Sequence, residues 1–501
     1  LFALDDSSIR FIPVRHEQGA AFMADVHGRL TGDAGVCLAT LGPGATNLLT
    51  GVADAHLDKS PLVAITGQGN LERLHKESHQ RIDVVEMFAP VTKWNVSLTD
   101  PDVVHESVRK AFKLAEYEKP GATHLELPED VASEASVKEP LAARESVGPA
   151  RPNAAAIDRV TELLAHADRP LVIAGNGAVR TAATDHLRRL VELTDVPVVS
   201  TYMGKGAVPD DDPHSLMTLA SGPNGEAADA IGQADLLLTI GYDIAEHDPA
   251  QWSSQAITAP IVHVDSQPAE IYEAYHPEVE VVADVGESAC AIADWCGSTD
   301  LDVETAWYEE LRESIVAGVD RNLTGEAPFP IRDVVAGLRG AMAPSDVLVA
   351  DVGTHKMVLA QDFRTYEPNT VIISNGLASM GIAVPGAVAA DRAVDANVVA
   401  ATGDGGFLMN AAELETATRL GCGFTVVVFT DGEYRLISEK QEEHRGASVG
   451  THFGNPDLPT FAESFGIESY RAETADDLEQ ALTVVSDDEL SLIAVPVRYD
   501  E

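Results

Sequence analysis

The stretch N-V-V-A-A-T-G-D-G-G-F-L-M-N-A-A-E-L-E-T-A-T-R-L-G-C-G-F-T-V-V-V-F-T-D-G-E-Y, residues 397–434, reads strand, turn, helix, strand, turn. Residues 397–402 form a short apolar run suited to a buried parallel strand, and the run breaks at Gly403-Asp404-Gly405-Gly406. Asn410-Ala411-Ala412-Glu413 has the spacing of a capping box and is expected to open a helix ending near Gly421. Residues 424–429 are β-branched and aromatic, so they read as the next parallel strand, ending at Thr430-Asp431-Gly432-Glu433-Tyr434. A right-handed crossover then puts Asp404 and Asp431 at the carboxyl edge of neighbouring strands, the edge where open α/β sheets bind ligands.

Two carboxylates beside closely approachable glycines suit a Mg²⁺ ion carrying a diphosphate. Mg²⁺ takes a few hard oxygens and keeps its other positions for phosphate and water, and free glycine amides face phosphate oxygens. The competing reading is an ordinary Rossmann-type turn with solvated acids.

G-D-G-G-F, followed 27 residues after its Asp by Asp431 and two further on by Glu433, resembles the motif of thiamine-diphosphate enzymes. In that family the first Asp, a later Asn or Asp and one backbone carbonyl hold the metal. The resemblance implies a metal site at Asp404, Asp431 and Glu433, and cofactor contacts from Gly405, Gly406 and Tyr434.

The same resemblance extends both ways. R-H-E-Q-G-A-A at residues 15–21 and L-G-P-G-A-T-N at 41–47 look like the pyrimidine-binding domain of these enzymes. There the Glu matching Glu17 hydrogen-bonds a ring nitrogen of the aminopyrimidine and favours the tautomer whose exocyclic nitrogen takes the thiazolium proton. Read alone, Glu17 is equally a helix-start acid complementing the macrodipole. L-H-K-E-S-H-Q at 74–80 and P-V-T-K at 90–93 resemble the acetolactate synthase branch, in which the residue matching Gln80 faces the substrate and that matching Lys93 lies near the site. Residues 351–355 and 375–381 follow two further strands, 347–350 and 371–374. In the family the first turn touches phosphate, here Gly353, Thr354 and His355. The second gives a backbone carbonyl to the exocyclic amine (Ala378) and an apolar wedge beneath the cofactor (Met380). Without the resemblance, His355 is a capped loop histidine and Met380 core filler.

At 501 residues the chain has room for about three domains of roughly 150 residues. The strand and helix order implies three doubly wound parallel α/β sheets. The divisions expected are a pyrimidine-binding domain over 1–137, a middle Rossmann-like domain over 154–297 and a diphosphate domain over 331–501. A Pro-, Ala- and charge-rich linker spans 138–153. In the first domain, strands are expected at 9–14, 36–40 and 62–66, with a helix through 21–30. In the middle domain a helix capped by Asn153 runs over 154–166, and strands fall at 170–174, 197–201, 236–240, 261–264 and 279–283. Gly175-x-Gly177 after a strand invites a dinucleotide reading, but the third glycine in frame is missing. Biosynthetic relatives place an arginine after a middle-domain strand against a flavin. The turn 241–249 has none and resembles the flavin-free catabolic branch, so FAD is not expected. The opening Leu1-Phe2-Ala3-Leu4 reads as the tail of a helix already under way. About one strand and most of one helix, with the family's early Pro-Gly loop, are expected to precede it.

Net charge is −46 and the pI is near 4.5, which argues against nucleic acid and anionic membrane as partners. Of 34 basic residues 24 are Arg and 10 are Lys. Acid-rich, lysine-poor surfaces resemble those of halophilic cytosolic proteins, where concentrated salt screens self-repulsion. The four cysteines lack metal-site spacing and read as reduced, buried thiols of a cytoplasmic protein. No run approaches the ~20 apolar residues of a membrane span.

Taken together, the resemblance implies a thiamine-diphosphate, Mg²⁺-dependent acetolactate synthase that decarboxylates pyruvate and ligates the product to a second pyruvate, giving 2-acetolactate. It implies a homodimer or homotetramer with sites between subunits. Another 2-oxo acid decarboxylase or carboligase stays open, as do a non-catalytic cofactor-binding subunit and a flavin or nicotinamide oxidoreductase. So does the outlet, acetoin or branched-chain amino acids. Two departures stand out: Arg435, where the family has a small or short polar residue, and Lys440, where catabolic relatives carry Gln and biosynthetic ones Trp.

Overall fold

The computed structural model describes residues 2–142, 147–181, 183–220, 222–299 and 301–499. Leu1 and part of the expected linker (143–146) lie outside these residues, as do 182, 221, 300, 500 and 501. Three sheets follow one another along the chain and every ladder in them is parallel. The first holds β1 (Gly35–Ala39), β2 (Leu62–Gln68), β3 (Trp94–Ser97) and β4 (Ala122–Pro128) in the order β1-β2-β4-β3. The second holds β5 (Pro170–Ala174), β6 (Val198–Ser200), β7 (Ser215–Thr218), β8 (Leu236–Ile240), β9 (Ile261–Asp265) and β10 (Val279–Val282), ordered β10-β9-β8-β5-β6-β7. The third holds β11 (Phe329–Pro330), β12 (Val347–Ala350), β13 (Val371–Ile373), β14 (Val398–Gly403), β15 (Phe424–Thr430), β16 (Glu468–Arg471) and β17 (Ser491–Arg498). Its order is β11-β17-β15-β14-β12-β13, with β16 also pairing β17.

The third sheet is buried on both faces, as a doubly wound sheet requires. Val347, Val349, Ala400, Val426 and Val428 point into one core, and Leu348, Ala350, Val399, Ala401 and Val427 into the other. Phe22 and Val26, from the helix Glu17–Thr31, enter the first of these cores. Ala21 and Ala24 of that helix pack on the first sheet. A helix sandwiched between two sheets must be apolar on two faces, and small alanines allow the close approach.

This junction carries a buried charge cluster. Arg29 Nε and Nη2 donate to Asp25 (2.9 and 2.8 Å), Nη2 also to Asp58 (2.8 Å), and Nη1 to the carbonyl of Ile373 (2.8 Å). Asp54 adds a third carboxylate 3.4 Å away. Removing one partner of a buried ion cluster leaves the rest uncompensated, at about 3–5 kcal/mol. Arg29→Ala is therefore expected to lower the denaturation free energy by about that much. A change within about 1 kcal/mol in a denaturant titration would show that water already screens the acids.

Two expectations are corrected. Residues 9–14 form no strand: Ile9 and Phe11 are exposed, and the segment is tied instead to the third domain. There Arg419 Nη2 donates to the carbonyl of Pro13 (2.5 Å), and the amides of Arg15 and His16 donate to Glu413 (3.1 and 3.0 Å). That use of Glu413 also defeats the capping box. Asn410 Nδ2 donates to the carbonyl of Gly381 instead (2.8 Å). The single expected helix becomes two, Asp404–Asn410 and Glu413–Leu420, the second ending at Gly421 (φ 64°) as expected. β3, β4 and β17 were not read from the sequence at all: polar residues interrupt β3 and β4, whereas residues 492–497 of β17 are an unbroken apolar run that was left unread.

Candidate functional site

Four turns meet at the carboxyl edge of the third sheet, after β12, β13, β14 and β15. Asp404 begins the helix after β14 and is 2% exposed. Its Oδ2 accepts from the amides of Asp431 (3.2 Å) and Gly432 (2.8 Å) and from Asn455 Nδ2 (2.6 Å), and its Oδ1 from the amide of Gly405 (2.9 Å). The two turns of the opening stretch are thus joined, as their spacing suggested. Gly405 has no room for a side chain: a Cβ there would lie 2.8 Å from the Tyr434 ring. At Gly406 a Cβ would lie 2.8 Å from Asp351 Oδ1.

Asp431 is half-buried, and burial, with Asp404 nearby, pushes its carboxyl up. Its Oδ2 accepts from Arg435 Nε (3.1 Å). The Glu433 carboxylate does not turn toward Asp404's partners. It pairs with Arg435 Nη2 (3.1 Å) and His452 Nε2 (3.3 Å) and accepts from Ser438 Oγ. Among the described residues no group of three His, Cys, Asp or Glu side chains is assembled for a metal. The third hard oxygen near Asp404 belongs to a residue that the sequence reading passed over. Asn455 Oδ1 is buried without a partner while its amide holds Asp404. The segment carrying it is anchored by Tyr434 N to Thr451 O and Phe453 N to Gly432 O, 2.9 Å each.

Asp351, which the sequence reading placed in the 351–355 turn without a role, ties the turns together. Fully buried, it accepts from the amides of Val352 (2.7 Å), Gly381 (2.8 Å) and Ala383 (3.2 Å). Burial pushes its carboxyl up. Thr354 opens the helix Thr354–Asp362, its Oγ1 buried beside Glu439. His355 is buried between the turns, so that a Cβ at Gly353 or Gly403 would meet its ring at 2.7 or 3.0 Å. Burial holds its imidazole down at about 3, so it is neutral, and Nε2 has no partner. In the turn after β13, Ala378 has φ 54°, a left-handed geometry that costs an L-residue roughly 1–2 kcal/mol. Met380 beside it is half-buried.

In the first domain, Glu17 stands in the first turn of its helix, with His16 as N-cap. Asn47 Nδ2 donates to Glu17 Oε2 (3.0 Å), and a Cβ on Gly44 would lie 3.4 Å from Oε1. Gln80, with φ 58°, lies against Gly42 of the same turn, its carbonyl 2.6 Å from where a Cβ would sit. Glu17, the 42–47 turn and Gln80 therefore share the carboxyl edge of the first sheet. Lys93 does not. It precedes β3, at the amino edge, and its Nζ donates to the carbonyls of Tyr117 (2.5 Å) and Lys119 (2.6 Å). Burial lowers its ammonium to about 8.

The middle-domain GxG turn is filled from within. The buried Glu246 carboxylate accepts from the amide of Asn176 (2.9 Å) and from Thr201 Oγ1 (2.5 Å), and Gly177 donates to Gly241 O (2.7 Å).

The chain matches three family descriptions in order: the N-terminal TPP binding domain of thiamine pyrophosphate enzymes over residues 1–87, their central domain over 157–292, and their C-terminal TPP binding domain over 351–495. It is 33% identical to the acetolactate synthase of Bacillus subtilis over 509 residues, covering 100% of this chain and 88% of the relative. It is 33% identical to the catabolic acetolactate synthase of Raoultella terrigena (99% and 90% covered). To the probable acetolactate synthase large subunit of Methanocaldococcus jannaschii it is 32% identical (96% and 84% covered).

Proposed function

This chain belongs to the thiamine diphosphate-dependent enzyme family, and from that premise we propose that it is an acetolactate synthase, joining two pyruvates with loss of CO₂ to give 2-acetolactate. The observation that carries the reading is the meeting of four turns at one sheet edge, with two acids, an unpartnered amide oxygen and a left-handed alanine held among them. The residues fit the group. Asp404, Asp431 and Asn455 Oδ1 offer hard oxygens for Mg²⁺. Gly405, Gly406, Gly353, Thr354 and His355 line the turns beside them, with Tyr434 as a wall. The side chain of Glu433 serves Arg435 rather than the metal, so only its backbone remains for that task.

When bound, thiamine diphosphate supplies a nucleophilic carbon that adds to a 2-oxo acid and accepts the electron pair released with CO₂. The chain's part is placement and proton handling. Glu17, aimed by Asn47, would share a proton with the pyrimidine ring. The Ala378 carbonyl would accept from its exocyclic amine, Met380 would support it from beneath, and Gln80 would orient the substrate. Glu17 makes its contacts on the first sheet and Asp404 on the third. Leu377, Leu408, Met409, Tyr434 and Ile437 are exposed around the third-sheet turns. A second copy's first domain covering that apolar rim completes each site in a homodimer or homotetramer. The middle domain is then structural, with Glu246 in the crevice that a flavin or nicotinamide would need. The charge of −46 suits a high-salt cytosol.

Incubation with pyruvate, Mg²⁺ and thiamine diphosphate in molar KCl is expected to yield 2-acetolactate and CO₂ by mass spectrometry. Acetaldehyde alone as product would replace the synthase with a simple decarboxylase.

A further inference from the structure

The turn that carries Ala378 is held by side chains rather than by its own backbone. Asp58, just past the helix Pro43–Leu57 of the first domain, is 3% exposed and reaches into the third domain. Its Oδ1 accepts from the amide of Gly376 (2.5 Å) and its Oδ2 from that of Asn375 (3.0 Å). A side chain at Gly376 would evict it, since a Cβ would lie 2.7 Å from Oδ1. Asp54, one helical turn earlier, accepts from Ser374 Oγ (2.7 Å), and that same oxygen accepts from the amide of Ser379 (3.2 Å). Asp351 takes the amide of Gly381 (2.8 Å). Arg29 holds Asp58 and Asp54 in place and donates to Ile373 O (2.8 Å), on the strand leading into the turn. Lys356 Nζ donates to Ser374 O (3.3 Å) and Asn375 Oδ1 (3.2 Å).

Ala378 lies between the two limbs so gripped, at φ 54°. A left-handed alanine persists only where its surroundings over-determine it. The clamp supplies that constraint: one acid fixes the first two amides of the turn, and a second acid, through Ser374, fixes the amide just past Ala378. We infer that Asp58 is a positioning residue, which acts through the 375–379 backbone to hold the Ala378 carbonyl in its left-handed geometry. The inference rests on the proposed function for what that carbonyl faces, but not for the clamp itself.

A double-mutant cycle on the full chain with Asp58→Asn and Ala378→Gly tests it, because glycine takes the left-handed region without a clamp. The first readout is the dissociation constant of thiamine diphosphate with Mg²⁺, measured by calorimetry without substrate. Asp58→Asn is expected to weaken binding about tenfold in the parent and no more than about twofold beside Ala378→Gly. Equal losses in both backgrounds would overturn the inference and leave Asp58 as a staple between domains. Should Asp58→Asn fail to fold, Ser374→Ala, which cuts the link from Asp54 to Ser379, takes its place in the same cycle with the same criterion. A parent protein that binds no thiamine diphosphate would defeat the proposed function alone. The cycle is then read in the thermal midpoint of the apo protein. Ala378→Gly is expected to raise that midpoint by a few °C in the parent and to raise it less in the Asp58→Asn background. An equal rise in both would refute the clamp without reference to any cofactor.

Discussion

Replacing Glu17 by glutamine is expected to lower kcat by about 10²–10⁴-fold, the range a positioned acid or base contributes, while thiamine diphosphate remains bound. The substitution is nearly isosteric. The carboxamide oxygen it introduces still accepts from Asn47 Nδ2, as Glu17 Oε2 does at 3.0 Å, and the helix Glu17–Thr31 keeps His16 as its cap. What glutamine cannot do is take and return a proton. Two measurements separate this role from a packing role. The dissociation constant of the cofactor should change by no more than a few-fold, and deuterium exchange at the thiazolium carbon of the loaded enzyme should slow in step with kcat. A variant retaining kcat within about threefold would make Glu17 an ordinary helix-start acid, whose worth near a macrodipole is only about 0.3–1 kcal/mol. Asn47→Ala supplies the intermediate case. It frees Oε2 without removing the proton acceptor, so kcat should fall less than in Glu17→Gln.

The strands that end in these turns were legible because parallel strands buried on both faces leave unbroken apolar runs: those read at 347–350, 371–374, 397–402 and 424–429 are found within one residue, at 347–350, 371–373, 398–403 and 424–430. Glycine-rich breaks marked their carboxyl ends, so Asp404 and Asp431 could be paired from spacing alone. Side-chain destinations were not legible. Asn410 and Glu413 have the chemistry of a capping box, yet each is drawn off by a partner far along the chain, Gly381 and the 15–16 amides. Glu433 and Arg435 pair across the start of a helix, which turns the Glu433 carboxylate away from Asp404, and spacing alone does not say which acid an arginine will take. Lys93 sits close to site motifs in sequence and at the wrong edge of its sheet in space, since nothing local reveals on which side of a four-residue strand a lysine lies. Residues 9–14 are as apolar as a strand, but a strand exists only by pairing, and no ladder partner meets them among the described residues. Asp351, Asn455 and Asp58 were given no role of their own for the same reason: each acts through contacts 30 or more positions away, and a lone acid or amide in a loop carries no periodic signature.

Replacing Asp404 by alanine is expected to weaken thiamine diphosphate binding by about 100-fold or more in the presence of Mg²⁺. Four donors converge on this carboxylate, and three come from outside its own turn: the amides of Asp431 and Gly432 and the side chain of Asn455. Alanine deprives each of its acceptor, and leaving buried donors unpaired costs about 1–3 kcal/mol apiece. It also removes a hard anionic oxygen from the cation's side, for which water cannot substitute without loss of charge. The two losses are separable. Asp404→Asn keeps an oxygen for the three donors on Oδ2, loses only the acceptor of the Gly405 amide and carries no charge, so the apo protein's unfolding midpoint should fall less than in the alanine variant while Mg²⁺-dependent affinity falls nearly as far. Calorimetric titrations with and without Mg²⁺ decide the matter. If the parent binds the cofactor equally well in both, or if Asp404→Asn binds as the parent does, then Asp404 only stitches the two turns together. The charged tail of the cofactor must in that case be held elsewhere.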